Sequence, residues 1–202
     1  MTDLSTTYMG VKLANPIIVG ACELTGDLKT IRQIEEMGAG ALVIRSLFEE
    51  QIQLERLKLD EDLHKYDNRY AEMITVSPDT PHAGPRQHVM WVKEARKAVS
   101  IPVFASLNAV NRETWFEYAR LLADTGVAGL ECNLYSFPAD PWKPGCDIEK
   151  DQVDLIRDLV AAVSIPISVK LTPYYTNPMG AIWRLGMAGA SFAVALPLAS
   201  RW

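Results

Sequence analysis

One short phrase occurs twice in this chain, and it constrains the fold more than anything else. Ala98-Val-Ser-Ile-Pro-Val103 returns 64 residues later as Ala162-Val-Ser-Ile-Pro-Ile167. A spacing of that size is roughly two strand–helix units of about 30 residues each. Each copy ends a helix, turns, and starts a strand with proline near its first position, where no ladder donor is lost. Strands are expected at Pro16–Ala21, Ala41–Leu47, Val103–Leu107, Gly129–Leu134, Ile167–Leu171 and Phe192–Leu196. They are short apolar runs without alternation, the pattern of a parallel sheet covered on both faces.

Helices belong between them. Leu28, Ile31, Ile34 and Met37 stand three apart, after an N-cap at Asp27 and before Gly38. Trp115, Ala119 and Leu122 line a second helix ending at Gly126, and Val153, Ile156, Val160 and Val163 line a third, capped by Asp147. These stripes read as core. Strict alternation implies a parallel α/β sheet. No G-x-G-x-x-G follows the first strand, which disfavours a dinucleotide-binding open sheet. The expectation is a TIM-type (β/α) barrel with about six of eight strand–helix units, forming a single domain over residues 1–202.

Composition narrows the function classes. The 202 residues are 49% hydrophobic and 22% charged, as in one globular domain. A net charge of −5 argues against nucleic-acid binding. The first ten residues show no signal-peptide pattern, and Leu185–Ser200 is too short and too rich in Gly and Pro to cross a membrane. It reads as a helix end plus a buried strand. Three unpaired cysteines, Cys22, Cys132 and Cys146, suit a cytoplasmic protein. Cys22 and Cys132 read as small core residues. His64, His82 and His88 lack metal-ligand spacing and read as solvated, so no metal is expected.

One connection breaks the rhythm. Between Phe48 and Gln87 a charged stretch, Glu49–Leu63, suggests a short extra helix, and Asp67–Arg86 reads as a proline-rich loop. Connections of this length serve as binding loops or stand as plain surface insertions.

Chemistry points to Lys170, inside the apolar strand Ile165-Pro-Ile-Ser-Val-Lys-Leu-Thr-Pro173. Burying an ammonium for packing alone is costly. The preceding strand ends in polar Asn133 and Ser136, and polar groups at strand C-termini of such folds build sites. The plain alternative is a Lys170 that only pairs with Glu131.

The chain resembles the dihydroorotate dehydrogenase family, most closely its dihydroorotate dehydrogenase-like branch. The resemblance rests on Leu4-Ser-Thr-Thr-Tyr-Met-Gly-Val-Lys-Leu-Ala-Asn-Pro-Ile17, Ser46-Leu-Phe-Glu-Glu-Gln51, Ala105-Ser-Leu-Asn108, Glu131-Cys-Asn-Leu-Tyr135 and Val169-Lys-Leu-Thr-Pro173, in that order. It implies an FMN-dependent barrel that oxidises a CH–CH bond of a small molecule in pyrimidine synthesis. It places Gly20, Ala21 and Cys22 against the flavin through backbone groups, with Asn108 and Asn133 also at the cofactor. It gives Lys170 the role of stabilising negative charge on the reduced ring. Asn133 would bind substrate, Ser136 would be the catalytic base, and Arg45 stands where many members carry lysine. Asn68 is the amide in the long connection with a claim on substrate.

Two departures qualify the resemblance. Phe137-Pro-Ala-Asp140 stands where many members have a further asparagine after the base, which leaves the substrate open. The sequence also stops at Trp202, where family members continue with two more strand–helix units that bind the FMN phosphate. The expectation is therefore weak FMN retention, with homo-oligomerisation or self-association through open barrel edges. Two other classes stay in play: a Schiff-base lyase or aldolase using Lys170, and a non-catalytic barrel fragment acting through its exposed edges.

Overall fold

The computed structural model describes residues 2–54, 85–135 and 140–195. The chain opens with an antiparallel hairpin, β1 (Thr6–Tyr8) and β2 (Val11–Leu13), turned by Met9 and Gly10, both at positive φ. Then follow β3 (Ile18–Val19), α1 (Leu28–Glu36), β4 (Ala41–Val43), β5 (Leu47–Phe48) and a helical stretch over residues 49–54, α2. Beyond the long connection come α3 (Pro85–Ala98), β6 (Val103–Asn108), α4 (Arg112–Ala123), β7 (Gly129–Asn133), α5 (Gly145–Ala162), β8 (Ile167–Leu171), α6 (Pro178–Met187) and β9 (Phe192–Ala195).

The sheet is parallel throughout, in the order β3-β4-β6-β7-β8-β9, with β5 also pairing with β6. It curls as an incomplete barrel of six strand–helix units, as the alternating pattern predicts. Its outer face packs on the helices: Leu42, Val103, Ala105, Leu107, Leu130, Cys132, Val169 and Leu171 join Ile31, Trp91, Trp115, Leu122 and Ile156 in the main core. The inner face is different. At the strands' N-terminal ends the hairpin seals it with a small apolar cluster of Met9, Leu13, Ala41, Val43 and Phe104. The Tyr8 ring meets Phe104 edge-on at 5.3 Å and Phe192 at 4.9 Å. The hairpin was not among the sequence expectations.

Local signals hold at several helix ends. Asp27 Oδ2 accepts from the Thr30 N–H at 2.9 Å and caps α1, and Gly38 and Gly126 take positive φ after α1 and α4. Other expectations fail for physical reasons. Met37 is the C-cap residue of α1 and 86% exposed, because the helix ends before its side chain can turn inward. Asp147 lies in the first turn of α5, and Pro144 takes the cap position. Val163 is likewise the C-cap of that helix and half-buried.

The first expected strand is reduced to Ile18–Val19, and Ala41–Leu47 divides into β4 and β5 where its register on β6 shifts by one residue. The last strand is half-exposed rather than buried, since β9 pairs on one side only among the described residues; Phe192 is 48% exposed. Cys22 is exposed, whereas Cys132 is buried as expected. His88 is buried on α3, which begins at Pro85 and so takes Pro85 and Arg86 from the expected loop. The remaining calls on Asp67–Arg86, with His64, His82 and Asn68, lie outside the described residues, as does the helix expectation beyond residue 54.

Packing at Gly129 generates a test. A Cβ placed there would meet Met9 Cε at 2.9 Å, the Pro166 carbonyl at 3.0 Å and Phe104 Cδ1 at 3.1 Å, where β7 leaves the hairpin plug. Gly129→Ala should lower unfolding stability by about 1–3 kcal/mol. At Gly20 a Cβ meets nothing within 4 Å, so Gly20→Ala should leave stability unchanged. Urea denaturation of both variants checks the pair.

Candidate active site

Polar residues on the inner face recur with period two. Parallel register sets Ser106, Glu131 and Ser168 side by side across β6, β7 and β8, and sets Asn133 beside Lys170 one step further toward the C-terminal ends. Neighbours in register project to the same side of a sheet. These residues therefore share the interior, while Leu107, Cys132 and Val169 between them face the helices. Ser106, Glu131, Asn133 and Ser168 are all buried.

Hydrogen bonds give the cluster a direction. The Asn133 amide nitrogen donates to Ser106 Oγ at 2.9 Å, to Ser46 Oγ at 3.3 Å and to the Leu107 carbonyl at 3.4 Å. That carbonyl can only accept, so it fixes which end of the amide faces it. Ser46 and Ser106 hydroxyls lie 2.8 Å apart, and Ser106 donates to Glu131 Oε1 at 3.1 Å. With its single hydrogen spent there, Ser106 must accept from Ser46. Lys170 Nζ stands 3.5 Å from the same Glu131 oxygen. The carboxylate thus collects a hydroxyl and an ammonium, as a nearly buried charge requires.

One polar atom in this row is left over. Asn133 Oδ1 is buried and has no hydrogen-bond partner among the described residues. Such orphans are uncommon in folded proteins. The Lys170 side chain keeps 22% exposure, against 8% for Glu131. The row therefore sets an ammonium and a buried amide oxygen side by side near the C-terminal ends of the strands, the end at which barrel folds carry their sites. Nearby groups feel the buried charge. Burial lifts the Tyr8 phenol above its usual range, Ser168 opposing and Glu131 adding. Burial and the Glu131 charge also push the Cys132 thiol up, so it is no nucleophile at neutral pH.

A second carboxylate holds the rim. Glu49, the first residue of α2, is 4% exposed. It accepts the N–H of Asn111 at 2.8 Å, the Val110 N–H, the Asn111 side-chain amide and the Gln53 amide at 3.1 Å. It thereby caps the N-terminus of α4, where an anion is favoured, and it ties Ser46, three residues earlier, against β6. Burial raises its carboxyl, but the hydrogen bonds outweigh that and hold it below the usual range.

Of the sequence-derived residues, Lys170 and Asn133 come together. Asn108 is half-buried at the end of β6, in register with Phe48. Arg45 is exposed on the rim and pairs with Glu23 at 3.5 Å, next to the segment Gly20, Ala21 and exposed Cys22. Ser136 and Asn68 lie outside the described residues. Sequence reasoning passed over Ser46, Ser106 and Ser168 as site residues. The signal was available: Ser106/Asn108, Glu131/Asn133 and Ser168/Lys170 are each two apart.

No family model matches the chain. Curated relatives carry one name, dihydroorotate dehydrogenase B (NAD(+)), catalytic subunit. The protein of that name from Thermoplasma volcanium is 28% identical over 183 residues, covering 88% of this chain and 56% of the relative. That from Methanocella arvoryzae is 28% identical over 188 residues, covering 92% and 59%. The chain thus spans a little over half the length of these relatives, and its resemblance to the dihydroorotate dehydrogenase family is borne out in sequence. Among solved structures, a 2,3-dimethylmalate lyase matches with TM-score 0.57 at 14% identity, covering 92% of this chain and 57% of that one. A dihydrodipicolinate synthase from Agrobacterium tumefaciens matches with TM-score 0.58 at 9% identity, covering 92% and 56%. At such identities these two establish the fold alone.

Two outcomes test the site's electrostatics. Lys170→Ala leaves Glu131 nearly buried without its counter-charge and should cost about 1–3 kcal/mol in urea unfolding. Adding Glu131→Gln should recover most of that loss. For Glu49, a depressed carboxyl contributes stability that is full above its ordinary value of 4.5 and is lost as pH falls through the folded value. The stability gap between the wild-type chain and Glu49→Gln should be widest at neutral pH and close in acid. A gap that is flat with pH would show that the Glu49 charge is not what holds α4.

Proposed function

We propose that this chain belongs to an FMN-dependent oxidoreductase of the dihydroorotate dehydrogenase type, acting on a CH–CH bond of a small cyclic substrate in cytoplasmic pyrimidine synthesis. The observation that carries this reading is the juxtaposition of Lys170 and Asn133: one ammonium and one amide oxygen unpartnered among the described residues, side by side on the inner face.

The residues present fit the ring of FMN. A flavin's pyrimidine edge alternates carbonyl oxygens with a ring N–H, and Lys170 and Asn133 Oδ1 offer the matching donor and acceptor. Gly20 has open space where a side chain would stand, which suits close approach of a flat ring. FMN, when bound, supplies the acceptor for a hydride and so carries the redox chemistry itself. The chain's own residues bind and orient. Lys170 favours negative charge at the ring edge, a preorganised electrostatic contribution. Asn133 is locked by Ser46, Ser106 and the Leu107 carbonyl, so only its oxygen is offered to a ligand. Ser136, three residues on, is assigned the proton-removing role, with Arg45 and Asn68 as substrate contacts and Asn108 beside the cofactor.

The Schiff-base reading is less well supported. Carbonyl attack needs a neutral amine, and Lys170 stands in an ion pair with Glu131. That geometry suits a fixed positive charge.

Titration with FMN, followed by fluorescence, tests the reading. Weak binding should occur, and reduction of bound FMN by a dihydropyrimidine such as dihydroorotate should slow about 10²-fold in Lys170→Met. Ser136→Ala should lose turnover while keeping FMN. If FMN does not bind, and borohydride instead traps a carbonyl compound on Lys170, the lyase reading replaces this one.

A further inference from the structure

Lys170 is not a free cation, and the partner that holds it lies on the neighbouring strand. Glu131 Oε1 receives both Lys170 Nζ at 3.5 Å and the Ser106 hydroxyl at 3.1 Å. Glu131 is 8% exposed and Lys170 22%, so this pair is screened by water far less than the surface pairs of the same chain, such as Arg45–Glu23 at 50% and 86%. The acid sits one register step deeper than the lysine, level with Ser168, whereas Asn133 is level with Lys170. A ring lying over Lys170 and Asn133 would meet the ammonium directly and Glu131 only through it.

We infer that Glu131 is a positioning residue for Lys170: it draws the ammonium down toward the floor of the interior and offsets part of its charge, which sets how strongly the site favours a negatively charged ring. The inference rests on the oxidoreductase reading and deepens it. An unpaired lysine at this position would favour the reduced, negatively charged ring more. Glu131 weakens that preference while keeping the long side chain in one place. The neighbouring hydroxyls serve the same end. Ser46 and Asn133 both donate to Ser106, which leaves the Ser106 hydrogen for Glu131 and no lone pair to accept from the Lys170 ammonium.

Glu131→Gln tests this with little disturbance, since the amide keeps an oxygen to accept from Ser106 and matches the acid in size. The first readout needs no cofactor. Acetylation of Lys170 by acetic anhydride at fixed pH, followed by peptide mass spectrometry, reports how freely the amine can be reached. Loss of the ion pair releases the side chain and should speed it about tenfold in Glu131→Gln. The second readout is the midpoint potential of bound FMN. The variant's preference for reduced over oxidised FMN should rise about tenfold, equivalent to ~30 mV for a two-electron couple. Unchanged acetylation overturns the pairing. Faster acetylation with an unchanged potential overturns the tuning role. If neither protein binds FMN, the oxidoreductase reading fails, and the acetylation result alone decides whether Glu131 holds Lys170.

Discussion

Glu131 is a carboxylate placed inside a curled sheet with 8% of its side chain exposed, and the rest of the interior is arranged around that charge. A group so little hydrated needs close partners. Lys170 supplies the opposite charge from β8 and Ser106 a hydrogen bond from β6, so three neighbouring strands are joined at one oxygen. The choice propagates. Ser106 has given its hydrogen to Glu131, so it accepts from Ser46 and Asn133, and Asn133 is left with its nitrogen engaged and its oxygen without a partner among the described residues. The chemistry offered at the mouth thus follows from a charge buried one layer below it.

The fold makes that arrangement possible by separating two environments along the strands. At the N-terminal ends the hairpin packs Tyr8 and Met9 against Phe104, giving an apolar plug. The next row is Ser106, Glu131 and Ser168, and the row above holds Asn133 and Lys170. On the opposite face the same strands carry Leu107, Cys132 and Val169 into the helical layer. At the rim, Glu49 fastens the start of the long connection to α4 and so keeps Ser46 within reach of Asn133.

Much of the fold was legible because it depends on local signals. The repeated Val-Ser-Ile-Pro phrase marks the α3–β6 and α5–β8 junctions, and Asp27, Gly38 and Gly126 sit at helix ends as their chemistry demands. Lys170 stood out because an ammonium in an apolar strand needs a reason. What escaped depends on long-range pairing. The β4–β5 break follows from β6 pairing with both pieces, and the hairpin's role as a plug appears only once Tyr8 lies on Phe104 and Phe192. The serines escaped because each strand was read as apolar without alternation. Ser46 reaches Asn133 across 87 residues of sequence, beyond any local pattern.

In the proposed oxidoreductase, Lys170 and Asn133 Oδ1 act as one edge-recognition pair on the inner face. A crystal structure of the protein soaked with FMN tests it most directly. The flavin's pyrimidine edge should lie over this row, with Lys170 Nζ and Asn133 Oδ1 each within hydrogen-bond distance of it and Glu131 still beneath the lysine. Flavin density elsewhere, or at this row with Asn133 Oδ1 still unpartnered, would contradict it.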